Sequence, residues 1–248
     1  MNARVAVITG ASKGIGAALA REFQRRDWHV IAVSRTQPDD PGLQWIEADI
    51  TVPADRRALA QEIRSTAGRT DVLVNNAGRG LFATWEEMDI QDLQSLFELN
   101  LIAHVHMTQL FLDMLRESRG AVINTSSVAG KLAVPCMGAY CATKYALNAF
   151  SDSLRIELAP SGIHVLNLIV GRIDTGFSRQ ALGDRQPPET PGKAPADALA
   201  RRVYKACERK KRQIVFPRWY AYAILAARMF PGLYARENLR RWHLDRKE

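Results

Sequence analysis

The sequence predicts an α/β fold in which helices cover both faces of a doubly wound, parallel sheet of seven strands. Short apolar, β-branched runs alternate along the chain with amphipathic helical patterns, which is typical of parallel sheets with strands buried on both faces. The 248 residues are enough for one large α/β domain and few for two. We therefore expect a single domain over residues 1–217 and a C-terminal helical extension of it over residues 218–248.

The elements follow one another in a regular order. Predicted strands lie at residues 5–9, 29–33, 43–48, 71–74, 121–124, 164–169 and 213–216. Predicted helices follow the first turn and cover residues 53–67, 93–115, a segment ending at 158, and 196–209. Residues 177–195 carry little regular pattern and include Pro187, Pro188 and Pro191, which is typical of a lid or a substrate-binding loop.

The turn after the first strand is rich in glycine. Its sequence is Gly10-Ala11-Ser12-Lys13-Gly14-Ile15-Gly16, and a helical pattern follows at once. Glycines let the backbone approach a pyrophosphate closely, and the N-terminus of the helix supplies N–H groups and a favourable dipole. A glycine-rich connection without a ligand is the alternative. The placement between a strand and a helix at the start of the chain favours a nucleotide site.

The end of the second strand indicates which dinucleotide fits that site. A site that prefers NAD has an acidic residue there to hold the ribose 2′-hydroxyl, whereas this chain has Ser34 and Arg35. The guanidinium of Arg35 can pair with a 2′-phosphate, and Lys13 can add a second positive charge. The alternative is two solvated surface charges. The pattern predicts NADP(H) as the cofactor.

Three residues form a candidate proton-transfer set. Ser127 follows a buried strand, and the Tyr140-x-x-x-Lys144 spacing places both side chains on one face of a helix. A nearby ammonium stabilises a phenolate, so we expect Lys144 to lower the pKa of Tyr140 from about 10 towards the working range. Asn100 lies inside an apolar helical pattern, where its amide either has a role in the site or is a satisfied core group.

In these residues the chain resembles the short-chain dehydrogenase/reductase family, which is built on a single Rossmann domain. The resemblance covers residues 4–176 and rests on the glycine turn after Thr9, the run Asn75-Asn76-Ala77-Gly78, and the set Asn100, Ser127, Tyr140 and Lys144. It implies that Tyr140 is the general acid or base, that Lys144 tunes it and binds the nicotinamide ribose, that Ser127 holds the substrate oxygen, and that Asn100 binds a relay water. The cofactor-binding residues it implies, with those argued above, are Gly10, Ser12, Lys13, Gly14, Ile15, Gly16, Ser34, Arg35, Asp49, Ile50, Asn76, Ala77, Gly78, Tyr140, Lys144, Ile173 and Thr175.

The predicted function is therefore hydride transfer between NADP(H) and a carbonyl or secondary alcohol, with a hydrophobic substrate favoured by the apolar C-terminal segment. A non-catalytic NADP(H)-binding sensor, or a scaffold for a membrane or partner, is the alternative. The chain departs from the family at one place, where Val170-Gly171 replaces the usual Pro-Gly after the sixth strand. By resemblance we expect a homodimer or homotetramer.

The remaining composition restricts other functions. Cys136, Cys141 and Cys207 have no metal-ligand spacing and are expected as reduced thiols, the first two either lining the pocket or packed in the core. His104 is expected to serve packing or an interface rather than a metal, and we predict no metal site. The first strand starts so early that we expect no signal peptide and a cytoplasmic location.

The basic excess lies in the last fifth of the chain. Residues 201–248 carry 14 Lys and Arg against 4 Asp and Glu, although the net charge of the whole chain is only +8. Three explanations for the extension at 218–248 stay open: a cover over the substrate pocket or a subunit interface, peripheral attachment to an anionic membrane, and nucleic-acid binding. The last is disfavoured because no nucleic-acid-binding motif accompanies the charge.

Overall fold

The structure, a computed structural model, describes residues 3–188 and 192–244. The predicted loop at 177–195 and the predicted extension at 218–248 each have a part, 189–191 and 245–248, that lies outside these residues. Within the described residues, no helix is both long and apolar enough to cross a bilayer.

Seven parallel strands form one sheet in the order β3-β2-β1-β4-β5-β6-β7. The strands are β1 (Val5–Thr9), β2 (His29–Ser34), β3 (Gln44–Glu47), β4 (Val72–Asn75), β5 (Ala121–Ser127), β6 (His164–Val170) and β7 (Gln213–Phe216). The predicted seven-stranded parallel sheet is confirmed, with differences of one to three residues at strand ends. The sequence order reverses between β1 and β4, and in such sheets ligands bind beyond the carboxyl ends of the strands at this point.

Eight α-helices connect and cover the strands in the described parts of the chain. They are α1 (Gly14–Gln24), α2 (Pro53–Thr66), α3 (Ile90–Phe97), α4 (Ala103–Ser118), α5 (Gly138–Leu158), α6 (Ala196–Glu208), α7 (Trp219–Met229) and α8 (Pro231–Arg241). Helices α1 and α6 pack apolar side chains on one face of the sheet, and α2, α4 and α5 cover the other. Burial on both faces explains why the strands read as continuous apolar runs.

The predicted single helix at 93–115 is wrong in one respect. Helices α3 and α4 are joined by one π-helical turn, Glu98–Ile102, in which the N–H of Ala103 donates to the carbonyl of Glu98. Asn100 lies in this turn and is fully buried. A π-turn inserts an extra residue without breaking the apolar face, so hydrophobic periodicity does not reveal it. Such turns are frequent at functional sites.

The C-terminal extension is a helical pair at the carboxyl edge of the sheet. Helix α7 starts just after β7, and α8 starts at Pro231, where the first helical turn does not need the missing N–H. Two contacts hold α8 to the body. The hydroxyl of Tyr234 donates to the carbonyl of Ala133 at 2.9 Å, and Trp242 is buried beside Phe82, with ring centroids 6.4 Å apart.

Candidate active site

The glycine turn between β1 and α1 forms a close-packed cradle. Gly10 has a φ of +65°, and a side chain there would bring its Cβ within 2.8 Å of the Cα of Ala77. A Cβ on Gly16 would overlap the carbonyl oxygen of Gly10 and come within 2.7 Å of the side-chain nitrogen of Asn76. Only glycine fits these two positions, so at both of them the cradle presents bare backbone.

The N-terminus of α1 opens into this cradle. Lys13, the N-cap residue, is exposed and makes no side-chain capping hydrogen bond. The first N–H groups of a helix have no acceptor within the helix, so those of Gly14, Ile15 and Gly16 are suited to an anion. Thr175, from the loop after β6, closes the cradle: a Cβ on Gly14 would lie 3.1 Å from the Cβ of Thr175. The residues present therefore fit the pyrophosphate of a dinucleotide.

The loop after β4 is fixed to the first strand by polar side chains. The Asn76 amide nitrogen donates to the carbonyl of Thr9 at 3.0 Å, and the Thr9 hydroxyl accepts from the N–H groups of Asn76 and Ala77 at 3.0 and 3.1 Å. The Nε2–H of His104, which lies in α4, donates to the carbonyl of Ala77 at 2.8 Å. These contacts hold the backbone of Asn76, Ala77 and Gly78 beside the glycine turn.

His104 is a buried, neutral donor. Its side chain is fully buried, and burial first, then the charge of Lys144, lowers its pKa from 6.5 to about 3. Its Nδ1 atom is buried and has no hydrogen-bond partner in the structure. Of the packing or interface role expected for His104, a packing role is consistent with this geometry. Within residues 3–188 and 192–244, no cluster of three His, Cys, Asp or Glu is placed to hold a metal ion.

Ser127, Tyr140 and Lys144 meet where β5 ends and α5 begins. Ser127 is the last residue of β5, and its hydroxyl accepts from the N–H of Ala129 at 3.1 Å and interacts with the phenol of Tyr140. Tyr140 is 7 % exposed and lies in an apolar cluster that includes Leu81, Leu96 and Cys141. The Nζ of Lys144 lies 5.7 Å from the centre of the Tyr140 ring and donates to the carbonyl of Thr125 at 2.9 Å.

The pKa of Tyr140 moves opposite to the predicted direction. Burial raises it to about 12, because a phenolate loses its hydration in this apolar cluster, and the hydrogen bond from Ser127 lowers it only in part. Burial also lowers the pKa of Lys144 to about 8, so its ammonium is itself destabilised. In the structure the site therefore holds Tyr140 as a neutral phenol that can donate a proton.

Asn100 joins three elements through its side-chain amide. Its oxygen accepts from the backbone N–H of Arg79 at 3.0 Å, and its nitrogen donates to the carbonyl of Arg79 at 2.9 Å and to the hydroxyl of Thr143 at 3.3 Å. The amide thus fixes the loop after β4 onto α5, one residue before Lys144. The relay water expected at Asn100 stays a prediction.

The carboxyl ends of β2 and β3 carry the residues predicted to select the cofactor. The N–H groups of Gly10 and Ala11 donate to the carbonyl of Val33, which places the glycine turn beside Ser34 and Arg35. The Ser34 hydroxyl is turned inward and donates to the carbonyl of Thr36 at 2.8 Å. Arg35 is largely exposed, with one Nη 3.6 Å from the Asp49 carboxylate.

Asp49 follows the end of β3, and its surroundings lower the pKa of its side chain and so favour the carboxylate. Burial raises its pKa, but hydrogen bonds from the N–H and hydroxyl of Thr51 and the charge of Arg35 lower it by more. Ile50 is buried behind it. An exposed ion pair such as that of Arg35 with Asp49 contributes about 0–1 kcal/mol, so Arg35 can leave it for another anion.

The end of β6 explains the departure at Val170. Val170 is still part of the strand, paired with Ser127 of β5 and with Phe216 of β7. The next residue, Gly171, lies under the ring of Tyr220 from α7, so closely that a Cβ there would overlap the ring. Ile173 then pairs with Ala194 in an isolated bridge.

Two aromatic residues near the site were not found by the sequence reasoning. Phe177 lies beside Tyr140, with ring centroids 5.8 Å apart, and Tyr220 packs on Gly171. An aromatic residue at the first position of an irregular loop was the available signal for Phe177. Tyr220 lies in the extension and could be placed only by tertiary structure. The three cysteines are free and buried, with Cys136 packed between Phe82 and Trp242.

Comparison with known proteins agrees with this architecture. The sequence model of the short chain dehydrogenase family matches residues 4–186. The chain belongs to this family. It is 36% identical over 191 residues to short-chain dehydrogenase srdE of Neurospora crassa, covering 74% of this chain and 66% of the relative.

Two further relatives have names that specify a reaction. The chain is 34% identical to the NADPH-dependent 1-acyldihydroxyacetone phosphate reductase of Schizosaccharomyces pombe, covering 71% of this chain and 62% of the relative. It is 31% identical to the 3-ketodihydrosphingosine reductase of Bacteroides thetaiotaomicron, covering 90% and 83%. The chain thus spans just under two thirds of the length of the first two curated relatives and most of the third.

Solved structures of the family superpose closely on this one. A short-chain dehydrogenase from Streptomyces avermitilis matches with a TM-score of 0.84 at 29% identity, covering 98% of this chain and 97% of that one. A short chain dehydrogenase from Burkholderia cenocepacia, solved in complex with NADP, matches with a TM-score of 0.82 at 26% identity, covering 95% and 97%. The protein therefore has the α/β fold of a family of oxidoreductases, and one of its structural relatives was solved with a dinucleotide bound.

Proposed function

We propose that this protein is an NADP(H)-dependent reductase of a hydrophobic carbonyl compound, with the reverse oxidation of the secondary alcohol at the same site. The observation that carries the proposal is the interaction of the half-buried Ser127 hydroxyl with the buried phenol of Tyr140, with Lys144 on the same helix face as Tyr140. It lies at the same sheet edge as a glycine cradle that fits a pyrophosphate. A protein that only binds the dinucleotide has no need of this set.

The proton step follows from the pKa directions. In this proposal the Ser127 hydroxyl and the Tyr140 phenol both donate hydrogen bonds to the substrate oxygen. Tyr140, which burial keeps neutral, then transfers its proton to that oxygen as the carbonyl is reduced. When bound, the dinucleotide supplies the hydride and, in its oxidised form, a positive ring charge. Lys144, anchored by Thr125, is placed to bind the nicotinamide ribose and to stabilise the phenolate left behind.

Preference for NADP(H) is supported by the charges at the adenine side. Arg35 stands exposed beside the glycine turn and forms a surface ion pair with Asp49. Lys13 is exposed at the N-terminus of α1. Two cations in this region favour a 2′-phosphate over a free hydroxyl. The name of the fission-yeast relative, an NADPH-dependent reductase, is consistent with this preference.

A hydrophobic substrate is supported by the surroundings of Tyr140. The side chains packed around it are apolar, among them Leu81, Val134, Met137 and Leu182, and Phe177 lies beside the ring. Relatives named for 1-acyldihydroxyacetone phosphate, 3-ketodihydrosphingosine and 17-beta-hydroxysteroids act on carbonyl or alcohol groups of largely apolar molecules. We therefore place the substrate in the class of ketones that carry an acyl chain or a fused apolar ring system.

The chemistry is tested by Tyr140→Phe. Consumption of NADPH is followed with a panel of acyl-chain ketones, steroid ketones and small water-soluble ketones. Losing a general acid lowers turnover by about 10²–10⁴-fold, whereas the affinity for NADPH should change little because the ring is kept. A variant that retains turnover contradicts the proposed role of Tyr140. A wild-type protein that binds NADPH tightly but reduces no member of the panel supports a sensor instead.

The cofactor preference is tested by Arg35→Ala, with binding of NADPH and NADH measured by titration. A charge-assisted hydrogen bond contributes about 1.5–3 kcal/mol, so NADPH binding should weaken by about 10-fold or more while NADH binding is unchanged. Arg116→Ala is the matched control, since Arg116 is exposed and also pairs with a carboxylate, that of Asp113 at 3.0 Å. Equal affinity of the wild type for the two cofactors contradicts the preference.

A further inference from the structure

The outward face of α7 and α8 is apolar to a degree found nowhere else in the described chain. Of the fourteen large apolar side chains exposed in the described residues, six belong to these two helices and a seventh, Phe230, joins them. Six of these seven form what we term the outer stripe: Trp219, Tyr222, Leu225, Met229, Phe230 and Leu233. Tyr222 is 75% and Leu233 69% exposed. Contiguous exposed apolar side chains of this kind mark an interaction surface.

Helix geometry shows that the outer stripe is not the edge of the core. On α7, Trp219, Tyr222 and Met229 share one face by their spacing. The opposite face, which includes Tyr220 and Ile224, is half-buried against the body. The helix is therefore apolar on both sides: one side packs on the protein and the other is unpartnered in the described residues.

The helical pair is fixed in place next to the candidate active site. Tyr220 packs on Gly171, directly after the strand that ends beside Ser127, and its hydroxyl is hydrogen bonded to the backbone of Arg172. Tyr234 is hydrogen bonded to Ala133, which lies in the loop before α5. The outer stripe therefore faces away from the body on the side of the molecule where Tyr140 receives its substrate.

The charges around the outer stripe select its partner. No acidic residue occurs between Glu208 and Glu237, and Glu237 is itself paired with Arg241 at 2.7 Å. Four exposed arginines flank the stripe: Arg218, Arg228, Arg236 and Arg240. A second copy of this chain, docked face to face, would bring these arginines close to the same arginines of the other copy, and the like charges would repel. An anionic lipid surface offers the opposite charge and an apolar layer beneath it.

We propose that the outer stripe and its flanking arginines dock this protein on the surface of an anionic bilayer. Helix α7, with 11 residues, is about 16 Å long, so it lies in the interface rather than across it. The aromatic and aliphatic side chains enter the headgroup region, and the arginines pair with lipid phosphates. As a consequence that rests on the proposed function, the substrate side of the site faces the bilayer and takes its hydrophobic ketone from there.

The test is co-sedimentation of the full-length protein with vesicles of phosphatidylcholine alone and of phosphatidylcholine mixed with phosphatidylglycerol. We expect binding to the mixed vesicles and little to phosphatidylcholine alone. Each basic residue near an anionic surface contributes about fivefold, so Arg228→Gln combined with Arg236→Gln should weaken binding by about 25-fold. Leu225→Gln combined with Met229→Gln should weaken it by at least about tenfold, because the apolar part of the contact is lost.

Matched controls keep the same changes away from the outer stripe. Arg57→Gln with Arg116→Gln removes the same charge from α2 and α4, and Ile90→Gln with Ile156→Gln removes exposed apolar groups from α3 and α5. Both should bind the mixed vesicles as the wild type does. NADPH binding by each variant confirms folding. Sedimentation needs no turnover, so it gives its answer even if the oxidoreductase proposal fails.

Three results would overturn the proposal. One is the absence of binding to mixed vesicles, or equal binding to both kinds. Another is an equal loss of binding in the controls, which would indicate a general charge effect. The third is a soluble dimer that Leu225→Gln with Met229→Gln converts to a monomer while vesicle binding persists, which would assign the stripe to a second copy. If docking holds, the same variant should slow reduction of a ketone dissolved in vesicles and leave that of a water-soluble ketone unchanged.

Discussion

The burial of His104 predicts a specific dependence of stability on pH. Its pKa is lowered from 6.5 to about 3, chiefly by burial, so between these values the unfolded chain binds a proton that the folded chain does not. The stabilisation is therefore fully present above pH 6.5 and is lost as the pH falls. From linkage, a change from about pH 7 to about pH 5 should cost about 2 kcal/mol of unfolding free energy through this one residue.

The variant that isolates this contribution is His104→Gln. A glutamine amide can still donate to the Ala77 carbonyl, now 2.8 Å from Nε2, but it does not titrate. Urea unfolding of wild type and variant is measured at both pH values and at one protein concentration, since assembly would add its own term. The unfolding free energy of the variant minus that of the wild type should rise by about 2 kcal/mol from about pH 7 to about pH 5, because only the wild type loses the contribution of His104.

Two further variants complete the experiment. His104→Leu should lose about 1–3 kcal/mol at neutral pH, because the buried carbonyl of Ala77 is left without a donor, and its NADPH affinity should fall as the loop loosens. His243→Gln, at an exposed position, is the control and should follow the wild type at both pH values. If the difference in unfolding free energy between the wild type and His104→Gln were the same at both pH values, the conclusion that His104 is a buried neutral donor would be refuted.

The other predictions concern the aromatic contacts of the site. Phe177→Ala should expose the phenol of Tyr140 to water and lower its pKa from about 12 towards the ordinary value of about 10. The pH profile of alcohol oxidation should therefore move to lower pH. An unchanged profile would mean that Phe177 does not shield the phenol. Gly171→Ala should destabilise the protein by about 1–3 kcal/mol, because its Cβ overlaps the Tyr220 ring, and combining it with Tyr220→Ala should recover much of that loss in urea unfolding.

The sheet could be predicted from sequence because its signals are local and repeated. The central strands are runs such as Val5–Thr9 that must be buried on both faces, and most of the turns carry a glycine or a proline. The π-turn at Asn100 could not be predicted by the same reasoning. Its apolar neighbours keep the helical spacing on both sides, and only the hydrogen bonds of the Asn100 amide with Arg79 and Thr143 show why a polar residue stands there.

The candidate site divides in the same way. The identities of Ser127, Tyr140 and Lys144 follow from spacing, because the strand end and the helical turn fix where their side chains lie. The direction of the Tyr140 pKa does not, since it depends on how completely the surrounding side chains exclude water. Spacing predicts which side chains neighbour the phenol, but it carries no measure of the burial that raises the pKa of Tyr140. The shielding by Phe177 belongs to the same class, because its loop has no periodic pattern to place it.

The replacement of proline at position 170 connects the site to the extension. Val170 continues β6 and lies between two paired strands, a place where proline, which has no N–H to donate, is disfavoured. The chain then leaves the sheet at Gly171, and the absence of a side chain there lets Tyr220 pack on the backbone. A helix that docks on the turn after β6 has one fixed position relative to Ser127. Any surface that holds α7 therefore also sets how Ser127 and Tyr140 are oriented relative to that surface, so we treat the extension and the candidate catalytic residues as one unit.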